Sequence, residues 1–292
     1  MRYLKCLDHA FQNPLFLPLN KDTKYVFFSD CHRGIGNHTD NFLKNANNYS
    51  AALQYYYQNG FHYIEAGDGD ELWENKKLCQ IQEIHNDVFQ QLKLFQQCNR
   101  LTLLYGNHDI VKKHPGFSSD FSYAESIILE SNTPHFEFRI LHGHQIDLLN
   151  STFWKLTRFL VRHIWAPLEA FGVKDPTSAA KNNRKKNRLE KRYIAYARKR
   201  GCYLMTGHTH NPSLCTVKTP YCNCGSCVHP NCITCIELTG YQIRLVKWCI
   251  HTEKSGTFNV FNMKCPPQYP LSITRKILHS DVLTELPQST SS

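Results

Sequence analysis

The strongest constraint in this chain is a recurring unit, a short apolar run that closes on a cluster of glycine, histidine and aspartate or asparagine. The runs are residues 24–29, 61–66, 101–105, 135–141 and 202–206. Their clusters are Ser29-Asp30-Cys31-His32, Gly67-Asp68, Gly106-Asn107-His108-Asp109, His142-Gly143-His144 and Gly207-His208-Thr209-His210. Apolar runs of this length bounded by turn residues form buried strands. Between the first three lie two helical patterns: Phe42, Ala46, Tyr49, Leu53 and Tyr56 share one face, and Ile81, Ile84, Val88, Leu92 and Phe95 share another. Strand, helix, strand, helix, strand implies right-handed crossovers and a largely parallel sheet. Past residue 210 the runs 233–238 and 243–250 flank a turn at Gly240, which makes a hairpin, so the expected fold is α/β with a mixed sheet.

In open α/β sheets the carboxyl ends of the strands converge on one crevice, which would bring all five clusters together. Asp30 and His32 are two residues apart, as are His208 and His210, and on extended backbone such pairs point the same way and can chelate. Imidazole, carboxylate and amide oxygen together suit Mn, Fe, Zn or Ni, whereas an all-oxygen set would suit Mg or Ca. The donors exceed the needs of one ion. Two ions commonly share a carboxylate, and Asp68 lies between the chelating pairs in chain order. Paired ions ~3.5–4 Å apart are a standard device for in-line displacement at phosphorus.

Asp30-x-His32, Gly67-Asp68-x-x-Glu71, Gly106-Asn107-His108-Asp109, His142-Gly143-His144 and Gly207-His208-Thr209-His210 resemble, in order, the five motifs of the calcineurin-like metallophosphoesterases, across about residues 25–245. The second motif usually ends in Asp, where this chain has Glu71. The resemblance implies a two-sheet mixed β-sandwich flanked by helices, holding two divalent ions, Mn2+ foremost with Fe or Zn as alternatives. One ion would be held by Asp30, His32, Asp68 and His210, and the other by Asp68, Asn107, His142 and His208. With Asn107 beside it, His108 would contact the substrate phosphate or protonate the leaving oxygen, and Asp109 would orient it. His144 would not be a ligand. The implied activity is hydrolysis of a phosphate ester or pyrophosphate. Residues 67–73 are also similar to the corresponding stretch of UDP-2,3-diacylglucosamine hydrolases, and the expected substrate is a lipid-linked or nucleotide pyrophosphate because an apolar stripe and a cationic patch adjoin in residues 151–200. A serine/threonine phosphoprotein phosphatase or a nuclease is the enzymatic alternative, and a nucleic-acid or membrane-surface binding protein on the same fold is the non-enzymatic one.

Arg33 either clamps a substrate phosphate with its planar fork or faces solvent. The net charge of +10 is a local matter: residues 181–200 carry ten Lys/Arg and one acid, Glu190. Before them, Phe153, Leu156, Leu160, Ile164 and Leu168 form an apolar helical stripe that Pro167 would kink. Residues 151–200 are therefore expected to form a helical, basic insertion over the site, within a catalytic domain spanning 1–265. A tail, 266–292, would pack over the surface and fray. Stripe and charge together point to an anionic membrane surface as partner, ahead of nucleic acid.

The 13 cysteines are an odd number in a chain too large to need disulfide staples, so reduced thiols and a cytoplasmic location, peripheral to a membrane, are expected. The series Cys222, Cys224, Cys227, Cys232, Cys235 is too crowded for two separated zinc knuckles and reads as small buried thiols. No apolar run nears the ~20 residues of a bilayer span, and residues 1–19 lack the pattern of a secretory signal.

Overall fold

The computed structural model describes residues 1–37, 39–132, 135–147, 154–161, 182–252 and 271–286. Helix α1 (Arg2–Ala10) and strand β1 (Leu15–Pro18) precede β2 (Lys24–Phe28), α2 (Ala46–Gln58) and β3 (His62–Glu65). Helices α3 (Leu78–Ile84) and α4 (Asn86–Gln97) lead to β4 (Leu101–Leu104), and β5 (Tyr123–Ala124), β6 (Ser126–Asn132) and β7 (His135–Leu141) follow. Then come α5 (Trp154–Leu160), α6 (Asn183–Arg200), β8 (Tyr203–Thr206), β9 (Tyr221–Asn223), β10 (Cys232–Thr239), β11 (Gln242–Thr252) and β12 (Leu271–Val282).

Two mixed sheets result. The larger has the order β12-β11-β10-β2-β3-β4-β5, with β2 to β5 parallel and β10 to β12 antiparallel. The smaller has the order β1-β6-β7-β8-β9 and one antiparallel pair, β6 with β7. Strand β2 shows why they stack. Its residues alternate between two cores: Tyr25 and Phe27 join Ile127, Phe138 and Met205 between the sheets, while Val26 and Phe28 join Tyr49, Leu53, Leu92 and Phe95 under α2 and α4. A third core packs α1 and α6 on the outer face of the smaller sheet through Leu7, Leu189, Tyr193 and Leu204. The layering is helix, sheet, sheet, helix, and each fully buried Leu or Phe contributes roughly 1.5–3 kcal/mol.

The structure differs from the sequence reading in two places. The second helical pattern is broken at His85, whose Nε2 lies 2.8 Å from Asp40 Oδ2, so Ile84 turns outward while Ile81, Val88, Leu92 and Phe95 stay buried. The expected tail contains strand β12, paired antiparallel with β11 at the sheet edge and tied to β10 by Arg275, whose Nε donates to Glu237 Oε1 at 2.8 Å. Of the insertion, α5 and α6 are described. Phe153, the Leu156 side chain, Ile164, Pro167 and Leu168 lie outside the described residues, so the apolar stripe does too. Cys222 and Cys224 are buried between the sheets, and Cys227 and Cys235 under the helices, which divides the cysteine series between two cores. Among the described residues no helix is long and apolar enough to cross a membrane.

Candidate metal centre

Strands β2, β3, β4, β7 and β8 end side by side, and the five polar clusters leave from those ends. Asp30, His32, Asp68, His208 and His210 have φ between 49° and 62°. The chelating pairs therefore do not lie on extended backbone, as the sequence reading supposed. Each member of a pair sits in the left-handed region, which costs on the order of 1–3 kcal/mol per residue and persists only where the surroundings enforce it. The enforcement is visible. The His208 amide donates to both Asp30 oxygens, at 3.2 and 3.0 Å, and the His108 amide donates to Asp68 Oδ1 at 2.8 Å. Close approach fixes the glycines as well: a Cβ at Gly106 would stand 2.0 Å from Asp68 Oδ1, and one at Gly207 would stand 2.4 Å from Asp30 Oδ2.

The side chains gather into overlapping sets. Asp30, His32 and His210 form one group, Asp68, His142 and His208 a second, and His32, Glu71 and His108 a third, with the donor atoms of each within 4.8 Å of one another. His210 Nε2 is 3.0 Å from Asp30 Oδ1, and His142 Nε2 is 3.1 Å from Asp68 Oδ2 and 3.2 Å from Asn107 Oδ1. Asp68 Oδ2 is also 3.8 Å from His32 Nε2, so this carboxylate faces both of the first two groups. His142, Asp30, Asp68 and Asn107 are buried, whereas the His32, His108 and His210 side chains are 13%, 22% and 15% exposed and form the rim.

The charges are out of balance in one direction. Against the burial that pushes them up, His210 and His142 hold Asp30 at about 2, and His142 and His108 hold Asp68 well below the usual carboxylate range. Against the burial that pushes it down, Asp68 lifts His142 to about 9. His142 Nδ1 faces the Ala66 carbonyl at 2.8 Å and donates to it, so the extra proton sits on Nε2, toward Asp68. A cation between Nε2 and Asp68 would replace that proton. Burial lowers His208 and His210, which keeps both in the neutral form that ligates. Burial and the neighbouring His142 push His144 down to about 3, and its ring stands 5.5 Å from that of His142.

Two sequence expectations are corrected here. Arg33 neither reaches the crevice nor faces solvent: it is buried, with Nη1 and Nη2 on Glu65 at 2.7 and 2.8 Å and Nε on Asp70 at 2.7 Å. Its guanidinium is consumed in bonds to carboxylates, so it cannot clamp a phosphate. Asp109 does not orient His108 either. Its carboxylate accepts from the Gly106 amide at 2.7 Å and from Lys112 Nζ at 2.8 Å. Glu71 does the orienting, with Oε1 2.8 Å from His108 Nδ1 and Oε2 2.9 Å from His32 Nδ1. The Trp73 ring stacks on His108 at 4.3 Å. Glu71 was legible only as a departure from a motif, and Asp147, 3.2 Å from His208 Nε2, carried no signal at all.

No protein-family model matches the chain, and no curated protein matches it. Solved structures do. They include a predicted phosphoesterase from Streptococcus pneumoniae TIGR4, 15% identical, matching over 78% of this chain and 89% of that one with a TM-score of 0.37. A dimetal phosphatase from Danio rerio is 11% identical, over 77% and 96% of the two chains, with a TM-score of 0.44. A cold-active protein-tyrosine phosphatase from a Shewanella species is 13% identical, over 82% and 81%, with a TM-score of 0.39.

Proposed function

We propose that this chain is a metal-dependent hydrolase of phosphate esters or pyrophosphates with a dinuclear centre. The observation that carries the reading is the meeting of two carboxylate–histidine groups across Asp68. The residues fit divalent ions. Among the described residues His32 Nε2 is buried without a hydrogen-bond partner, 3.9 Å from Asp30 Oδ1 and 3.8 Å from Asp68 Oδ2, while its Nδ1 is held by Glu71. Asp30, His32, Asp68 and His210 would hold one ion, and Asp68, Asn107, His142 and His208 the other, the set favouring Mn2+, Fe or Zn. When bound, the pair would supply charge stabilisation for phosphoryl oxygens and lower the pKa of a water from ~15.7 toward ~7.

The chain's own residues do the rest. Glu71 holds His108 at Nδ1, which leaves Nε2 to face the substrate at the rim of the crevice. His108 is lifted to about 10, against burial, by Glu71 and Asp68, so it carries the proton that a leaving oxygen needs. Stacking on Trp73 fixes the ring plane. Asn107, whose Oδ1 is 3.2 Å from His142 Nε2, can orient a phosphoryl oxygen through its amide nitrogen. Positioning and electrostatics are most of what phosphoryl transfer asks of a protein.

The substrate reading is narrower: a lipid-linked or nucleotide pyrophosphate, taken beside an anionic membrane surface. Its support is the groove of about 490 Å3 between α1 and α6, lined by Tyr3, Arg184, Arg188, Lys191 and Arg192, with no carboxylate among the described lining residues. Protein freed of metal and reloaded with Mn2+ should bind two ions per chain and hydrolyse a generic phosphodiester. Tested against a phosphopeptide and a UDP-sugar lipid, it should prefer the lipid. A single ion or none would refute the dinuclear centre, and preference for the phosphopeptide would overturn the substrate reading alone.

A further inference from the structure

Helix α6 is the most basic element of the chain, yet its inner face reaches the metal centre through carboxylates. Lys185 Nζ lies 2.6 Å from Asp147 Oδ2, and the same oxygen is 3.2 Å from His208 Nε2. One turn further on, Glu190 Oε1 accepts from Thr209 Oγ1 and from Asn211 Nδ2, both at 3.0 Å. The helix thus grips three successive points of one loop: His208, Thr209 and Asn211. That loop also carries His210, and both histidines hold left-handed backbone, with φ of 62° and 52°. Such conformations last only where neighbours over-determine them. On its other side the loop is held by Asn223, whose Nδ2 donates to the Gly207 carbonyl at 2.6 Å and to Thr209 Oγ1 at 3.1 Å.

The tautomer of His208 follows from the same contacts. With Nε2 facing Asp147 Oδ2 at 3.2 Å, Nε2–H would donate to that carboxylate and leave the Nδ1 lone pair free to ligate. Asp147 fixes which nitrogen that is, and Lys185 fixes Asp147. We infer that Asp147, Lys185 and Glu190 are positioning residues of the metal centre, through which helix α6 sets the affinity of the ligand loop for its ions. The inference rests on the dinuclear reading above. It gives the basic helix a second role, because a load on its outer groove would reach His208 and His210 through the residues of its inner face.

The test is Mn2+ titration by calorimetry of chelator-treated full-length protein. Asp147→Asn and Glu190→Gln should each weaken Mn2+ binding ~10- to 100-fold, the range seen when partners of metal-bound histidines are removed. Lys185→Met should lower it in the same direction. Lys199→Gln, exposed in the last turn of the helix, should stay within ~2-fold. Thermal melts of the metal-free variants separate a lost brace from a lost fold, and Asn211→Ala, which removes the Asn211 Nδ2 contacts with both Glu190 oxygens from the loop side, gives a second route should Glu190→Gln not fold. Wild-type affinity in the Asp147 and Glu190 variants would overturn the inference. Failure of the wild type itself to bind Mn2+ would refute the dinuclear reading instead.

Discussion

Lys112 is the residue whose removal the structure prices most clearly. Its ammonium is fully buried, 2.6 Å from Asp70 Oδ2 and 2.8 Å from Asp109 Oδ2, under the Tyr123 ring. Lys112→Met would not affect the two carboxylates equally. Asp70 keeps the Arg33 Nε bond at 2.7 Å, whereas among the described residues Asp109 keeps only the Gly106 amide. One buried carboxylate is thus left without a counter-charge, which costs about 3–5 kcal/mol. For a chain of this size that corresponds to a fall in Tm of roughly 6–20 °C. Burial already raises the Asp109 pKa while Lys112 lowers it, so the variant's Asp109 should rise further. A carboxyl whose folded pKa lies above its unfolded value favours the folded state at low pH and loses that contribution as pH rises. The deficit of Lys112→Met relative to wild type should therefore be larger at pH 8 than at pH 5. Urea unfolding at both pH values measures it, and Lys112→Met combined with Asp109→Asn should recover ~0.5–3 kcal/mol relative to the sum of the single changes. A deficit below ~1 kcal/mol, or one independent of pH, would refute the account of a charge left unpaired.

Asp68→Asn should lower occupancy at both ions, and His32→Ala mainly at one, read as Mn2+ bound per chain by elemental analysis. His108→Ala should keep its metals yet lose ~10²–10⁴-fold in rate on alkyl phosphates, with a smaller loss on activated aryl phosphates that need no proton. Equal losses on both would leave His108 as a phosphate contact only. Desolvation, with help from Arg100, pushes His62 down to about 4, so its contribution to stability is complete above the unfolded value near 6.5 and is lost as pH falls toward 4. The amount is about 3 kcal/mol at most, and His62→Gln should flatten that part of the pH–stability curve measured by urea unfolding. Neutralising Lys186, Arg188, Lys191 and Arg192 should weaken binding to anionic vesicles on the order of 10²–10³-fold at low salt, given ~1 kcal/mol per basic residue. Unchanged sedimentation with vesicles would make the groove a solvated face.

What could be read from the sequence was local or ordered along the chain. The run Lys24–Phe28 announces a strand buried on both faces, because Tyr25, Val26, Phe27 and Phe28 leave no side for water. The five clusters could be placed at one crevice because each closes a strand. What could not be read depends on partners far along the chain. The break at His85 needs Asp40, the burial of Arg33 needs Glu65 and Asp70, and Asp147 is 61 residues from the histidine it contacts. Strand β12 escaped notice for another reason: on an edge most of its side chains are exposed, and the apolar alternation that marks an inner strand is absent. The left-handed candidate ligands, Asp30, His32, Asp68, His208 and His210, have no periodic signature at all.

The hydrogen bonds from the His208 amide to Asp30 span 178 residues of chain. During synthesis at ~5–20 residues per second, about 10–35 s separate the appearance of the two, and Asp30 spends that time without the loop that completes its group. Strand β2 also waits for β10 before its second edge is paired. If the proposed centre binds metal, the Asp30, His32 and His210 group can be complete only once His210 has been made and its loop has met Asp30.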